Sequence, residues 1–222
     1  MGERVMKSVI IVSGGMDSIT LLHDIHATGE ELHAISFDYN QRHKKEIEYA
    51  KRNCDKLGIP HKTISLSVLN DIAPSSLTRS ETEVPEGEYD GENMKETVVP
   101  NRNMVMLSLA ASYAIGIGAT QLYYGAHSGD HTIYPDCRPG FVNVMSQAFV
   151  LCDWHQLHLK VPYLYENKTT ILKRGLELGV DYSDTWTCYN GREKACGKCG
   201  SCDERLAAFR ALGLKDPVEY EA

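Results

Sequence analysis

The fold is decided by the stretch Val9-Ile10-Ile11-Val12-Ser13-Gly14-Gly15-Met16-Asp17-Ser18. Its first four residues are apolar and β-branched and predict a buried strand, and the apolar residues after Ser18 predict an amphipathic helix. Between the two, the small residues Ser13, Gly14 and Gly15 allow a tight turn in which the backbone can approach an anion closely. Because a helix N-terminus carries about half a positive charge, this unit predicts a phosphate-binding loop.

Two common phosphate-binding motifs do not fit this stretch. The P-loop requires a Lys directly after its second Gly, and the dinucleotide motif requires three glycines in GxGxxG spacing. The pattern Ser-Gly-Gly-x-Asp-Ser resembles the pyrophosphate-binding loop of the ATP pyrophosphatase (PP-loop) superfamily, whose members split ATP into AMP and pyrophosphate. An ordinary glycine turn is the alternative. The ATP-binding residues that the resemblance implies are Val12, Ser13, Gly14, Gly15, Met16, Asp17, Ser18, Ile19, Thr20, Leu21 and Leu22.

Composition limits the possible classes of protein. A chain of 222 residues with 42% hydrophobic content can form one α/β domain with its own core. The net charge of -7 argues against an obligatory nucleic-acid partner and favours small-molecule substrates. No stretch predicts a signal peptide or a membrane span, so we expect a soluble cytoplasmic protein without a membrane partner.

Strands and helices alternate along the chain. After the first unit, strands are predicted at 32–37, 61–66, 121–125 and 157–161, and helices at 44–57, 104–117, 141–152 and 168–178. This order predicts an α/β fold with a five-stranded parallel sheet and helices on both faces. The acidic, proline-containing region at about 67–99 is predicted to be an irregular flap over the site, with disorder as the alternative.

Polar residues follow the predicted strands at the edge of the sheet where ligands bind in this fold class. Gln41 and Arg42 follow the second strand and Asp130 follows the fourth, so they are candidates for contact with a second substrate. Arg102 and Lys168 stand at helix starts, where each can bind a phosphate, and Arg102 also suits a carboxylate. A solvated loop or surface position is the alternative for each.

Four of the seven cysteines form the pattern Cys-x7-Cys-x2-Cys-x2-Cys near the C-terminus, namely Cys188, Cys196, Cys199 and Cys202. The close spacing suits a metal site in a reducing compartment better than disulfides. Four thiolates, each about 2.3 Å from the ion, form a closed tetrahedral zinc site without an open position for substrate. We therefore predict one structural Zn²⁺ per chain, with an iron–sulfur cluster as the alternative. The α/β domain is assigned to 1–180 and the zinc-binding segment to 181–222.

Six motifs, spread over nearly the whole chain, resemble those of the 7-cyano-7-deazaguanine synthases, the nitrile-forming enzymes of queuosine biosynthesis. Asn101 departs from the pattern, because glycine is more common there. The motifs are Ser13-Gly14-Gly15-Met16-Asp17-Ser18, Tyr39-Asn40-Gln41-Arg42-His43, Val99-Pro100-Asn101-Arg102-Asn103, Tyr134-Pro135-Asp136-Cys137-Arg138, Thr187-Cys188-Tyr189-Asn190-Gly191 and Cys196-Gly197-Lys198-Cys199-Gly200-Ser201-Cys202.

The resemblance implies an ATP-dependent ligase that forms carbon–nitrogen bonds and acts as a homodimer. Its substrates would be 7-carboxy-7-deazaguanine, ammonia and ATP with Mg²⁺, and adenylated intermediates would lead from carboxylate to amide to nitrile. In this scheme Asp17 acts through Mg²⁺, while Lys168 and Arg102 offset phosphate charge. From residue chemistry, Asp136 suits the guanidine-like edge of the base, and Arg138 suits a carboxylate.

Two other functions remain open at this stage. A different PP-loop adenylating enzyme, such as a tRNA thiolase, would be expected to show a reactive cysteine and a basic RNA-binding surface. A non-catalytic ATP- and zinc-binding module would bind ATP without releasing AMP and pyrophosphate.

Overall fold

The computed structural model of the protein describes residues 6–41, 43–73, 75–77 and 92–221. The strands are β1 (Lys7–Ile11), β2 (Glu31–Asp38), β3 (His61–Ser65), β4 (Gln121–Tyr123) and β5 (His158–Lys160). The helices are α1 (Met16–His26), α2 (Lys45–Leu57), α3 (Ser67–Ile72), α4 (Arg102–Gly116), α5 (Pro139–Leu151), α6 (Lys168–Glu177) and α7 (Gly200–Ala211). Short 3₁₀ helices cover Glu92–Thr97, Ser128–His131, Pro135–Cys137 and Tyr182–Asp184.

The five strands form one parallel sheet in the order β3-β2-β1-β4-β5. Ile10 of β1 is opposite Ala34 on one side and Tyr123 on the other. The strand order reverses between β1 and β4, and open parallel sheets bind ligands beyond the carboxyl ends of their strands at such a point. The predicted sheet is confirmed. Its edges are a polar strand, β3, and a strand of three residues, β5.

Helices cover both faces of the sheet, as predicted. Val9 and Ile10 of β1 point to opposite faces and both are fully buried, because successive side chains of a strand alternate. One core joins Val9 to Leu107 of α4 and Phe149 of α5. The other core joins Ile10 to α1, α2, α6 and α7. Burial on both faces explains why β1 is a continuous apolar run rather than an alternating one.

The region predicted as an irregular flap contains regular structure at both ends. Helix α3 and the 3₁₀ helix Glu92–Thr97 lie within it. Leu69, Leu77 and Val99 are buried, and the Ser76 amide donates to Glu96 O at 3.1 Å. Residues 78–91 lie outside the described residues. The difference arises because a few apolar residues anchor this polar region to the core.

The C-terminal segment is attached to the rest of the molecule by hydrogen bonds as well as by its helix. The Trp186 amide donates to Gly14 O at 2.9 Å, and Asn53 Nδ2 donates to Asp184 O at 2.8 Å. Within the segment, Arg205 is almost fully buried and forms a bidentate pair with Asp216 at 2.6 and 2.9 Å. The predicted segment 181–222 therefore contacts the phosphate loop directly.

Gly14 is expected to tolerate no side chain. Its φ is +93°, and a Cβ there would overlap the backbone carbonyl of Glu46. Gly14→Ala should therefore lower the free energy of unfolding by about 2 kcal/mol or more, measured by urea denaturation. Gly29→Ala is the matched control, because Gly29 has φ +80° with nothing within 4 Å of its Cβ position. Equal losses in the two variants would show that the Gly14–Glu46 contact carries no steric constraint.

Candidate active site

A cavity of about 240 Å³ opens where the carboxyl ends of β1, β2 and β4 meet. Its walls come from the phosphate loop, the first turns of α2 and α4, the chain after β4, and Trp186, Thr187 and Tyr189 of the C-terminal segment. This is the position that the reversal of strand order predicts for a ligand.

The phosphate loop is shaped by its own side chains. Ser13 Oγ accepts the Gly15 amide at 3.2 Å, and Ser18 Oγ accepts the Ser13 amide at 3.1 Å while lying 3.1 Å from Gly15 O. Helix α1 begins directly after Gly15, and no side chain caps its first amides. Those amides remain available to an anion.

The predicted ATP-binding residues divide into two groups. Val12, Ser13, Gly15, Asp17 and Ser18 line the cavity, while Gly14 holds the turn. The others point into the core: Thr20 bonds Met16 O and Tyr182, and four side chains are fully buried, those of Met16, Ile19, Leu21 and Leu22. Contact with a nucleotide is thus offered by the loop and the first turn of α1.

An ion cluster lies beside the loop. Lys168 Nζ, at the start of α6, is 2.9 Å from Asp17 Oδ2 and 2.7 Å from Glu204 Oε2 of α7. His127 Nε2 is 3.7 Å from Asp17 and 3.6 Å from Asp130. Burial would raise the pKa of Asp17, but the charges of Lys168 and His127 outweigh it and hold the pKa below its usual value.

Lys168 stays charged despite its burial. Only 7% of its side chain is exposed, and burial alone would lower its pKa. The carboxylates of Asp17, Glu204 and Asp130 outweigh that effect and raise the pKa of Lys168 well above its usual value. A fixed, desolvated ammonium beside a phosphate loop can stabilise negative charge far better than one in water.

Asp17 also suits a divalent cation. Its Oδ1 is buried, with no hydrogen-bond partner among the described residues. Carboxylate oxygens are the protein ligands that Mg²⁺ prefers, usually together with substrate phosphates and water. The chemistry of Asp17 therefore fits a Mg²⁺ ion, which its free Oδ1 would hold.

Arg102, the first residue of α4, reaches the cavity between two aromatic rings. Its guanidinium carbon lies 5.7 Å from the Tyr39 ring centroid and 5.9 Å from that of Tyr134. It also donates to the Tyr39 hydroxyl at 3.3 Å. Burial raises the pKa of Tyr39 to about 12, although Arg102 acts in the opposite direction. Arg102 is thus a positioned cation that can meet a phosphate or carboxylate.

The predicted substrate-binding residues are only partly brought together. Asp130 lines the cavity, whereas Gln41, Asp136 and Arg138 do not. Asp136 accepts the Asn103 amide at 3.2 Å, and Arg138 Nε donates to His131 O at 2.6 Å. The side chains of Asp136 and Arg138 thus bind backbone groups of nearby turns. Residue chemistry alone does not reveal this use. Arg42 lies outside the described residues.

Sequence reasoning missed two acidic residues of the site, Glu46 and Glu204. Glu204 pairs with Lys168 from a distant part of the chain. Glu46 lies in the first turn of α2, and its side chain is only 13% exposed. Burial raises the pKa of Glu46 to about 8, although a hydrogen bond from Gln41 and the charge of Arg102 act in the opposite direction. Each is one of several charged residues in its helix, so no local signal marks it.

The four clustered cysteines form a compact ligand set. Their Sγ atoms all lie within 4.8 Å of one another, and a tetrahedral zinc site places sulfurs about 3.8 Å apart. The amides of Lys198 and Cys199 donate to Cys196 Sγ at 3.4 and 3.3 Å. Hydrogen bonds from the thiols of Cys199 and Cys202 and from backbone amides hold the pKa of Cys188 well below its usual value. These four cysteines could hold one metal ion.

A fifth cysteine, Cys137, lines the substrate cavity. It contacts the Tyr124 hydroxyl and Asn103 Nδ2, each at 3.4 Å. Burial raises the pKa of the Cys137 thiol, so it stays protonated and is poorly suited to be a nucleophile.

The loop, the parallel sheet and the ion cluster define a nucleotide-binding α/β protein of the PP-loop class. The chain belongs to the family described as queuosine biosynthesis protein QueC, whose family model matches residues 7–213. A relative from Methanoregula boonei is 65% identical over 216 residues, which are 97% of this chain and 100% of that protein. One from Caldicellulosiruptor saccharolyticus is 57% identical over 97% of this chain and 96% of its own. Both carry the name 7-cyano-7-deazaguanine synthase, so the family expected from the motifs is confirmed.

Solved structures share the fold at much lower identity. NMN synthetase from Francisella tularensis matches with a TM-score of 0.52 and 14% identity, over 94% of this chain and 77% of that one. A protein described as a predicted subunit of tRNA methyltransferase from Methanocaldococcus jannaschii matches with a TM-score of 0.50 and 15% identity, over 98% and 93%. These similarities concern the fold alone.

Across the part of the chain that the structure describes, no helix is both long enough and apolar enough to cross a bilayer.

Proposed function

We propose that the protein is an ATP-dependent ligase that converts 7-carboxy-7-deazaguanine and ammonia into 7-cyano-7-deazaguanine. The proposal is supported by membership of the QueC family and by the relatives named 7-cyano-7-deazaguanine synthase. The observation that carries the chemistry is the buried Asp17–Lys168 pair beside an uncapped helix N-terminus. This arrangement suits the departure of pyrophosphate from ATP.

The chemistry requires activation, because a carboxylate would have to lose oxide. A carboxylate oxygen attacks the α-phosphorus of ATP, and the bond to pyrophosphate breaks. Ammonia then adds to the acyl adenylate, AMP leaves with the former carboxylate oxygen, and a proton is released to give the amide. The amide oxygen then attacks the α-phosphorus of a second ATP and pyrophosphate is released. AMP leaves with that oxygen, two amide protons are lost, and the nitrile forms. No covalent bond to the protein is required, so positioning and charge stabilisation supply the catalysis.

The cavity residues take roles in this scheme. Ser13, Gly15 and Ser18 bind the departing pyrophosphate, and Lys168 offsets its charge. Arg102 stabilises the carboxylate or the adenylate phosphate from the aromatic side of the cavity. Asp17 would hold Mg²⁺ through its buried Oδ1, and the ion would neutralise triphosphate charge when bound.

The four-cysteine site is proposed to hold one structural Zn²⁺. A closed set of four thiolates leaves no position for a substrate. Sulfurs this close surround a single ion and leave little room for a cluster of several irons. Because Trp186 joins this segment to Gly14, the metal supports the loop through the backbone.

The two alternatives are less well supported. A tRNA thiolase is expected to need a reactive cysteine, whereas the pKa of Cys137 is raised by burial. A module that only binds ATP would not release AMP and pyrophosphate, whereas the fixed Lys168–Asp17 pair beside the loop suits stabilisation of the charge that develops as pyrophosphate departs.

We also propose a homodimer that forms through helix α5. Val144 and Leu151 lie on one helix face, seven residues apart, and are 63% and 83% exposed. Trp154, just beyond the helix, is fully exposed. An apolar patch of this kind is typical of a protein interface.

Turnover by the purified protein tests the proposed reaction directly. With magnesium-ATP, ammonium and 7-carboxy-7-deazaguanine, mass spectrometry should detect 7-cyano-7-deazaguanine together with AMP and pyrophosphate. Formation of AMP without the nitrile would support the assignment of the adenylating loop but contradict the proposed substrate. ADP as the product, or no reaction, would contradict the assignment of the loop.

Replacement of Asp17 should separate the nucleotide site from the metal site. Asp17→Asn should lower kcat by about 100-fold or more, because the ion and Lys168 lose their shared carboxylate. Elemental analysis should still find one zinc per chain. Asp24→Asn is the control on the same helix, since Asp24 pairs with Arg174 away from the cavity. Loss of zinc in Asp17→Asn would refute the separation of the nucleotide site from the metal site. Iron in the native protein would refute the assignment of the metal as zinc.

Light scattering should give a particle of twice the 24.8 kDa chain mass. Leu151→Glu should shift the protein to monomers, because a charge in the apolar interface lacks a partner. Leu176→Glu, at an exposed leucine of α6, should leave the dimer intact. A monomeric native protein would rule the homodimer out.

A further inference from the structure

Glu46 places a carboxyl group in the cavity to which the scheme above assigns no role. It lies in the first turn of α2, and the Glu46 backbone lies against Gly14 of the phosphate loop. The side chain lines the same cavity as Arg102 and the rings of Tyr39 and Tyr189. Glu46 therefore faces the space beside the loop, where the second substrate of an adenylating enzyme must lie.

Two neighbours hold one oxygen of this carboxyl in place. Gln41 Nε2 donates to Glu46 Oε1 at 3.3 Å, and His43 Nε2 lies 3.4 Å from the same oxygen. The orientation of Gln41 is fixed, because its Oε1 accepts the Tyr39 amide at 3.0 Å. Gln41, predicted to bind substrate, thus acts here as a positioning residue for Glu46.

Within the described part of the chain, the hydrogen bond from Gln41 and the contact with His43 both go to Oε1, and none of the described lysines and arginines forms an ion pair with Glu46. A buried carboxyl without a cation is unfavourable unless hydrogen-bond donors complete its shell. The raised pKa of Glu46 agrees with this deficit. Such a group is typical of a binding site whose ligand supplies the missing donors.

The position of the Glu46 carboxyl indicates which hydrogen-bond donors a ligand must carry. A carboxylate with one oxygen anchored and one open, in a cavity lined with aromatic rings, matches a flat base that presents two adjacent N–H groups. The guanidine-like edge of a deazaguanine, with its ring N1–H and 2-amino group, has this pattern. The corresponding edge of adenine presents one donor and one acceptor, so it does not match.

We propose that Glu46 recognises the N1–H and 2-amino group of the deazaguanine substrate and so determines which base occupies this side of the cavity. This inference rests on the proposed function. Recognition of the guanidine-like edge, which residue chemistry suggested for Asp136, is assigned to Glu46 instead. Asp136 accepts the Asn103 amide and does not line the cavity.

The test combines a change in the ligand with a change in the protein. Calorimetry measures binding of 7-carboxy-7-deazaguanine and of its 2-deamino analogue to the full-length protein, with an ATP analogue that carries a methylene between the α and β phosphorus atoms. The native protein should bind the amino-bearing base about 10- to 100-fold more tightly than the analogue. Glu46→Gln should bind both bases with nearly equal, weaker affinity and should bind the ATP analogue as the native protein does.

Glu48→Gln is the matched control, since Glu48 is an exposed residue in the same turn of α2. It should retain the native preference for the 2-amino group. If Glu46→Gln does not fold, the comparison of the two bases in the native protein still tests the inference, because equal affinities there would refute it.

Other outcomes separate the possible failures. An undiminished preference for the 2-amino group in Glu46→Gln would overturn the role of Glu46 and leave the proposed function standing. If Glu46→Gln lowers kcat but leaves the affinities for both bases unchanged, Glu46 transfers a proton in the reaction. That result would also overturn its role in base recognition. If the native protein binds the ATP analogue but neither base, the proposed function fails together with the inference.

Discussion

The arrangement of the site depends on one buried ammonium group. Lys168 joins α6 to Asp17 at the start of α1 and to Glu204 in α7. A charge with 7% exposure is tolerable only when its partners stay in place. The pairing therefore fixes three helices relative to one another at the mouth of the phosphate loop. The nucleotide site is not a property of the loop alone, because its electrostatics come from residues 151 and 187 positions further along the chain.

The C-terminal segment also contributes to the cavity beside the phosphate loop. The Trp186 amide bonds to Gly14 O, and Tyr189 lines the cavity one residue after Cys188. The buried Arg205–Asp216 pair ties α7 to the C-terminal residues of the segment. The four-cysteine cluster and the cavity thus share a stretch of backbone. A metal ion held by these cysteines would therefore support the shape of the cavity without touching a ligand bound there.

The sequence allowed the sheet, the phosphate loop and the cysteine cluster to be predicted, because each depends on residues close together in the chain. Apolar periodicity identifies strands, and cysteine spacing identifies ligands, without knowledge of long-range contacts. Glu46 and Gln41 show where such reasoning stops. Gln41 has the chemistry of a substrate ligand, yet its amide is used by Tyr39 and Glu46. Whether a polar side chain faces a cavity or a neighbour is decided by tertiary contacts that no local pattern encodes.

The two edges of the sheet are unlike its interior. At one edge β3 carries His61, Lys62 and Thr63 with mostly exposed or half-buried side chains, and at the other β5 spans only three residues. A long, flat, apolar edge invites another chain to add a strand and begins aggregation. A charged edge and a very short one both discourage such addition. The sheet can therefore end in solvent without becoming a template for fibrils.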